Sequence, residues 1–150
     1  NQVDREARPV VIDASVSLKW VLDDEIEVVP SLALRDEAIG GRLQMLAPSL
    51  WIYEVANALV VAQLRERIRR EQGEFALFLL GDIGVRLVDP DPKDCLELAV
   101  EYALSGYDAA YVALAETIGV EMWTGNRRLV DRVGAQTDRV RWIGDYVSGH

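Results

Sequence analysis

The sequence predicts an α/β protein with a mostly parallel sheet of about five strands, covered by helices on both faces. Two observations carry this. Several short apolar runs, such as Val10-Val11-Ile12, are continuous rather than alternating, which is the pattern of strands buried on both faces. Stretches of helical character separate these runs, and strand-helix alternation implies right-handed crossovers between parallel strands.

Taken in order, residues 1–8 are polar and read as a loose N-terminal extension. Pro9 to Ile12 is the first strand and ends at Asp13. Asp13-Ala14-Ser15 supplies a helix cap, so a short helix is expected from Val16 to Leu22. Residues 26–39 carry apolar side chains at helical spacing and stop at Gly40-Gly41. Leu43 to Ala47 is the second strand. Pro48-Ser49 starts a long helix from about 50 to 69, followed by a helix over 71–82. Val85 to Val88 is the third strand, and Asp89-Pro90-Asp91-Pro92 is a turn. A helix over 93–104 is broken by Gly106. An alanine-rich helix from Asp108 to Ile118 closes at Gly119. Val120 to Trp123 is the fourth strand, Asn126 to Val133 a short helix, and Val140 to Ile143 a fifth, edge strand.

With 150 residues and no repeat or linker, residues 1–150 are expected to form one domain. Half the residues are hydrophobic and 27% are charged, which excludes a disordered chain. No apolar run reaches the ~18 residues of a membrane span, and no charged-then-apolar leader is expected. Cys95 is the single cysteine, so no internal disulfide forms, and a reducing cytoplasm is the expected location. The net charge of −9 argues against general nucleic-acid binding, which relies on basic surfaces.

In an open parallel sheet, function gathers at the carboxyl ends of the strands. Asp13 ends the first strand, Asp108 opens a helix, and Asn126 follows the fourth strand. Each of the three also sits where a helix cap sits. Glu54 lies among Trp51, Ile52, Tyr53, Val55 and Ala56, so it occupies either a narrow solvent stripe or a site. Asn57, three residues on, shares its helical face. Carboxylates gathered at one sheet edge repel one another, and a bound cation relieves that repulsion. Oxygen donors without nearby histidine or thiolate favour Mg²⁺ or Mn²⁺ over Zn²⁺, and the one histidine, His150, is terminal. Such a site suits phosphodiester hydrolysis.

Four segments resemble a known family. Val10-Val11-Ile12-Asp13-Ala14-Ser15-Val16 resembles the opening of a PIN domain, and Ala47-Pro48-Ser49-Leu50-Trp51-Ile52-Tyr53-Glu54-Val55-Ala56-Asn57-Ala58-Leu59 resembles its second motif. Tyr107-Asp108-Ala109-Ala110-Tyr111-Val112-Ala113-Leu114-Ala115 resembles the third, and Trp123-Thr124-Gly125-Asn126-Arg127-Arg128-Leu129 the fourth. They occur in the family's order and span nearly the whole chain, most similar to the VapC-type toxins. The resemblance implies a three-layer α/β/α sandwich and a Mg²⁺- or Mn²⁺-dependent endoribonuclease. It also implies a homodimer neutralised by a small DNA-binding antitoxin. Carried over by motif, Asp13, Glu54 and Asp108 are the metal-binding acids, and Ser15 and Thr124 are supporting contacts.

The departure is Asn126, where the family usually has an aspartate. A carboxamide offers a carbonyl oxygen but no charge, so a second metal is expected to bind more weakly. Asp131 lies too far round its helix to substitute. For RNA contact, Arg127 and Arg128, with Arg132, flank the fourth motif. Arg65, Arg67, Arg69 and Arg70 either contact RNA or simply complement a helix C-terminus. Trp20, Trp51, Trp123 and Trp142 are expected in core or interface, with Trp51 also placed to line the cleft. Residues 26–39 and Leu77-Phe78-Leu79-Leu80 offer apolar surface for a dimer or an antitoxin.

The main alternative is a catalytically weakened binding protein on the same fold, because Asn126 replaces the fourth acid. A phospho-receiver needs a lysine after a late strand, whereas the chain has only Lys19 and Lys93. An aspartyl phosphatase needs a second aspartate two residues after the first, where this chain has Ser15. Nothing reads as a DNA-binding antitoxin.

Overall fold

A computed structural model describes residues 6–149. Five strands, β1 (Arg8–Ile12), β2 (Leu43–Ala47), β3 (Arg86–Leu87), β4 (Met122–Thr124) and β5 (Val140–Trp142), form one sheet in the order β3-β2-β1-β4-β5. Every pairing is parallel. The connecting helices are α1 (Ala14–Leu18), α2 (Val28–Ile39), α3 (Leu50–Leu64), α4 (Arg70–Asp82), α5 (Pro92–Tyr102), α6 (Gly106–Ile118) and α7 (Arg127–Val133). The molecule is the expected α/β/α sandwich. Three consecutive residues of the central strand, Val10, Val11 and Ile12, are wholly buried, which requires cover on both faces of the sheet.

The order places β1 and β4 side by side although their connections leave in opposite directions, and a crevice opens at their carboxyl ends. Val11 is in register with Met122, and Ile12 with Trp123. Asp13 and Thr124 therefore lie at the mouth of that crevice. α6 packs across both strands, and α1 packs on β4 and α3.

Several boundaries differ from the sequence reading. Residues 1–5 of the expected extension lie outside the described residues, and Arg8 already belongs to β1. α1 stops at Leu18 rather than Leu22. α3 ends at Leu64 rather than about 69, because Glu66 takes a left-handed φ of 58° that no α-helix continues through. Gly106, expected to break a helix, opens α6. The break is made by Ala103, which is left-handed and caps α5. β3 is only two exposed residues at the sheet edge.

Candidate active site

Asp13 follows the last residue of β1 and is buried. It does cap α1: the Val16 N–H donates to Oδ1 at 3.3 Å. Two hydroxyls also reach it. Ser15 donates to Oδ1, and Thr124, at the end of β4, donates to Oδ2 at 2.6 Å. The same hydroxyls hold the following turn. Ser15 Oγ accepts the Gly125 N–H at 2.7 Å, and Thr124 Oγ1 accepts the Asn126 N–H at 3.0 Å. Gly125 has no room for a side chain. A Cβ there would lie 2.9 Å from Lys19 Cε and 3.1 Å from Ser15 Oγ. Burial raises the Asp13 pKa, the Ser15, Thr124 and Val16 bonds oppose that rise, and the charge of Asp108 adds to it.

Glu54 lies in the second turn of α3 and is half-buried. The Tyr111 hydroxyl donates to its Oε1 at 2.6 Å. The start of α3 is tied down at two points. The Trp51 indole N–H donates to Ser17 Oγ at 2.9 Å, and Ser17 in turn donates to the Asp13 carbonyl at 3.4 Å. Asp89 Oδ1 accepts both the N–H and the hydroxyl of Ser49, the residue before the helix, at 2.7 and 2.8 Å. Burial raises the Glu54 pKa, and the charges of Asp13 and Asp108 push it the same way.

Asp108 is not a helix cap. Ser105 is: its hydroxyl accepts the Asp108 N–H at 3.0 Å. The Asp108 carboxylate also has that same hydroxyl as a partner. Its pKa is raised by burial, against hydrogen bonding with Ser105 and the positive charge of Arg132. Arg132 is held nearby by donating to the Ala103 carbonyl at 3.0 Å.

Three acids from three elements thus feel one another's charge, and each is harder to ionise for being buried. Among the described residues, no three His, Cys, Asp or Glu side chains stand in a ready-made ligand set for one metal ion. The oxygens instead turn to neutral hydroxyls: Ser15 and Thr124 at Asp13, Tyr111 at Glu54. The donor chemistry nevertheless fits a hard divalent cation, which needs oxygen donors and offsets such a charge.

The remaining sequence candidates fall in different places. Asn126 caps α7, its Oδ1 accepting from the Arg128 and Leu129 N–H groups at 3.1 and 3.4 Å. Its carbonyl oxygen is therefore engaged by the helix. Asn57 is exposed, and no hydrogen bond joins it to these acids. Arg127 lies over the Trp142 ring at 4.6 Å and pairs with Asp131 at 3.7 Å, whereas Arg128 is exposed. Trp51 is buried in the core instead of lining a cleft. Arg67 pairs with Asp24, two of its nitrogens each 2.7 Å from a carboxylate oxygen. Tyr111, Ser17 and Asp89 were not among the expected site residues. Only Tyr111 carried a usable signal, since it lies one turn after Asp108 on the same helix face.

No protein-family model matches the chain. The chain is 30% identical to Ribonuclease VapC3 of Pyrobaculum aerophilum over 131 residues, which cover 84% of this chain and 95% of that protein. Its fold is similar to the crystal structure of PAE2754 from Pyrobaculum aerophilum, with a TM-score of 0.68 and 26% identity over 91% of this chain and 90% of that one.

Proposed function

The chain belongs to the VapC ribonucleases of the PIN-domain family, and from that premise we propose that it is the toxin endoribonuclease of a toxin–antitoxin pair. It hydrolyses RNA phosphodiester bonds at the cluster of Asp13, Glu54 and Asp108. The observation that carries this reading is the placement of these three acids, from β1, α3 and α6, within reach of one another's charge, with the Tyr111 bond joining α6 to Glu54.

Asp13, Glu54 and Asp108 would hold Mg²⁺ or Mn²⁺. When bound, the ion supplies positive charge against the negative charge that develops on the phosphoryl group. The rest of the work falls to the chain's own side chains. Ser15 and Thr124 fix both oxygens of Asp13 and keep the turn at Gly125 against it. Arg132, anchored beside Asp108, and the exposed Arg128 supply cationic groups for phosphate contact. Arg127, already held by Trp142 and Asp131, is the weaker of the two arginine candidates for RNA.

The antitoxin has a surface to suit it. A groove of about 510 Å³, lined by Trp20, Val21, Ile39, Leu79 and Ile83, lies apart from the acids. Phe75 and Phe78 are exposed on α4, whose Leu79 lines that groove. Apolar surface of this kind suits an amphipathic segment of a small antitoxin. Exposed Val60 and Leu64 on α3 support a homodimer. Among the described residues, no helix is long and apolar enough to cross a membrane.

One observation favours a second reading. The Asn126 carbonyl, engaged as a helix cap, contributes neither charge nor a free oxygen at the fourth position. A chain weakened in this way would act by holding a partner on the same fold. Labelled total RNA incubated with the antitoxin-free protein separates the two readings. Discrete fragments that require Mn²⁺ or Mg²⁺ and vanish with chelator are the result expected of the nuclease. Intact RNA under every metal condition, with no metal bound, supports the binding protein.

A further inference from the structure

Tyr111 is almost wholly buried on α6, within a continuous buried run from Ala109 to Ala115. A buried phenol needs a partner for its hydroxyl. It finds one across the site, on α3, where it donates to Glu54 Oε1 at 2.6 Å. Among the described residues this is the one side-chain hydrogen bond to the Glu54 carboxylate.

Glutamate has three rotatable bonds, and this one is half exposed with two like charges close by. Repulsion favours swinging it out to solvent. The Tyr111 hydroxyl opposes that swing, and it stands one helical turn from Asp108 on the same helix. One rigid element therefore both presents Asp108 and fixes Glu54 relative to it. With Oε1 engaged, Oε2 is the oxygen left for a cation.

We propose that Tyr111 is a positioning residue for Glu54, holding the carboxylate by one oxygen so that the other faces the cation shared with Asp13 and Asp108. This rests on the reading that the three acids hold a divalent cation.

The test is a calorimetric Mn²⁺ titration of four proteins: the wild type, Tyr111→Phe, Glu54→Gln and the double variant. Tyr111→Phe keeps the ring and removes only the hydroxyl, and circular dichroism verifies its fold. Partners of this outer kind typically change metal affinity about 10- to 100-fold. The expected result is a loss of about 10-fold or more in Tyr111→Phe and little further loss when the substitution is added to Glu54→Gln. Equal losses in both backgrounds, or no loss, overturn the positioning role while leaving the metal site standing. No Mn²⁺ binding by the wild type overturns both. A second measurement does not depend on any variant of Tyr111. The hydroxyl proton of Tyr111 should give a slowly exchanging NMR resonance in the wild type that persists on Mg²⁺ addition and disappears in Glu54→Ala. Loss of that resonance on Mg²⁺ addition contradicts the proposal.

Discussion

Asn126 places its carbonyl oxygen on the backbone of α7, where the Arg128 and Leu129 N–H groups donate to it. Asparagine and aspartate cap helices about equally well. Asn126→Asp should therefore leave stability within ~0.5 kcal/mol of the wild type, by chemical denaturation, while adding the charge missing from the fourth motif. The expected gain is a second equivalent of Mn²⁺ in calorimetry and faster RNA cleavage; an unchanged rate would show that the fourth acid is dispensable here. The neighbouring Gly125 has the opposite tolerance. A methyl group there meets Lys19 Cε and Ser15 Oγ, and displacing Ser15 removes a hydrogen bond from Asp13. Overpacking of this kind costs about 1–3 kcal/mol, so Gly125→Ala should lower both the melting temperature and Mn²⁺ affinity. At this scale the acids were legible in the sequence because glutamate in an apolar helix and aspartate at a strand end are conspicuous. Which aspartates also serve as caps was legible only for the first. Asp13 does, whereas Asp108 yields that role to Ser105, three residues earlier.

α3 depends on ties made by residues outside its own turns. Trp51 reaches α1 through Ser17, and Asp89, beyond β3, caps the start of α3 through Ser49. These ties set where Glu54 stands relative to Asp13. Asp89→Ala should cost about 1 kcal/mol, as cap deletions do, and should also reduce cleavage because the first turns of α3 carry Glu54. A stability loss with full activity would show that Glu54 is positioned by other means. The strands and most helices were legible from apolar runs and punctuation by glycine and proline. The end of α3 was not, since the chain turns at Glu66 without any glycine or proline to mark it. Trp51 joins the core, as expected of the tryptophans, and does not line the cleft, for a related reason. An amphipathic tryptophan beside a site residue looks the same in sequence whether its N–H meets solvent or, as here, a buried serine.

Across the whole molecule, charge sets the conditions under which the site operates. The net charge of −9 leaves few cations for phosphate. If Arg128 and Arg132 make the main contacts, the slope of log affinity against log salt should be shallow, about −1.4. A much steeper slope would place RNA on further basic residues such as Arg65 and Arg69. Acid stability should depend on Glu37, buried between α2 and the C-terminal segment. Burial raises its pKa, but hydrogen bonds from Tyr146, the Gly149 backbone and Arg42 outweigh that and leave it below the ordinary value of 4.5. A depressed carboxylate stabilises the fold above its unfolded pKa, and that contribution is lost as pH falls through the folded value. Glu37→Gln should thus lower stability at neutral pH and flatten its decline below about pH 4.5; an unchanged acid limb in denaturation would assign that decline to other groups. Strand-helix alternation was enough to expect a mostly parallel sheet, whereas the order β3-β2-β1-β4-β5, which opens the crevice, was not legible. The groove formed with α4 likewise depends on helix packing that no local pattern specifies.

The most direct test of the central claim is the rate of metal-dependent RNA cleavage by the wild type beside Glu54→Gln and Asp108→Asn, with all three proteins folded. Discrete cleavage by the wild type is expected, with a loss of at least ~100-fold in each variant. Undiminished cleavage in either variant would mean that this cluster is not where RNA is cut.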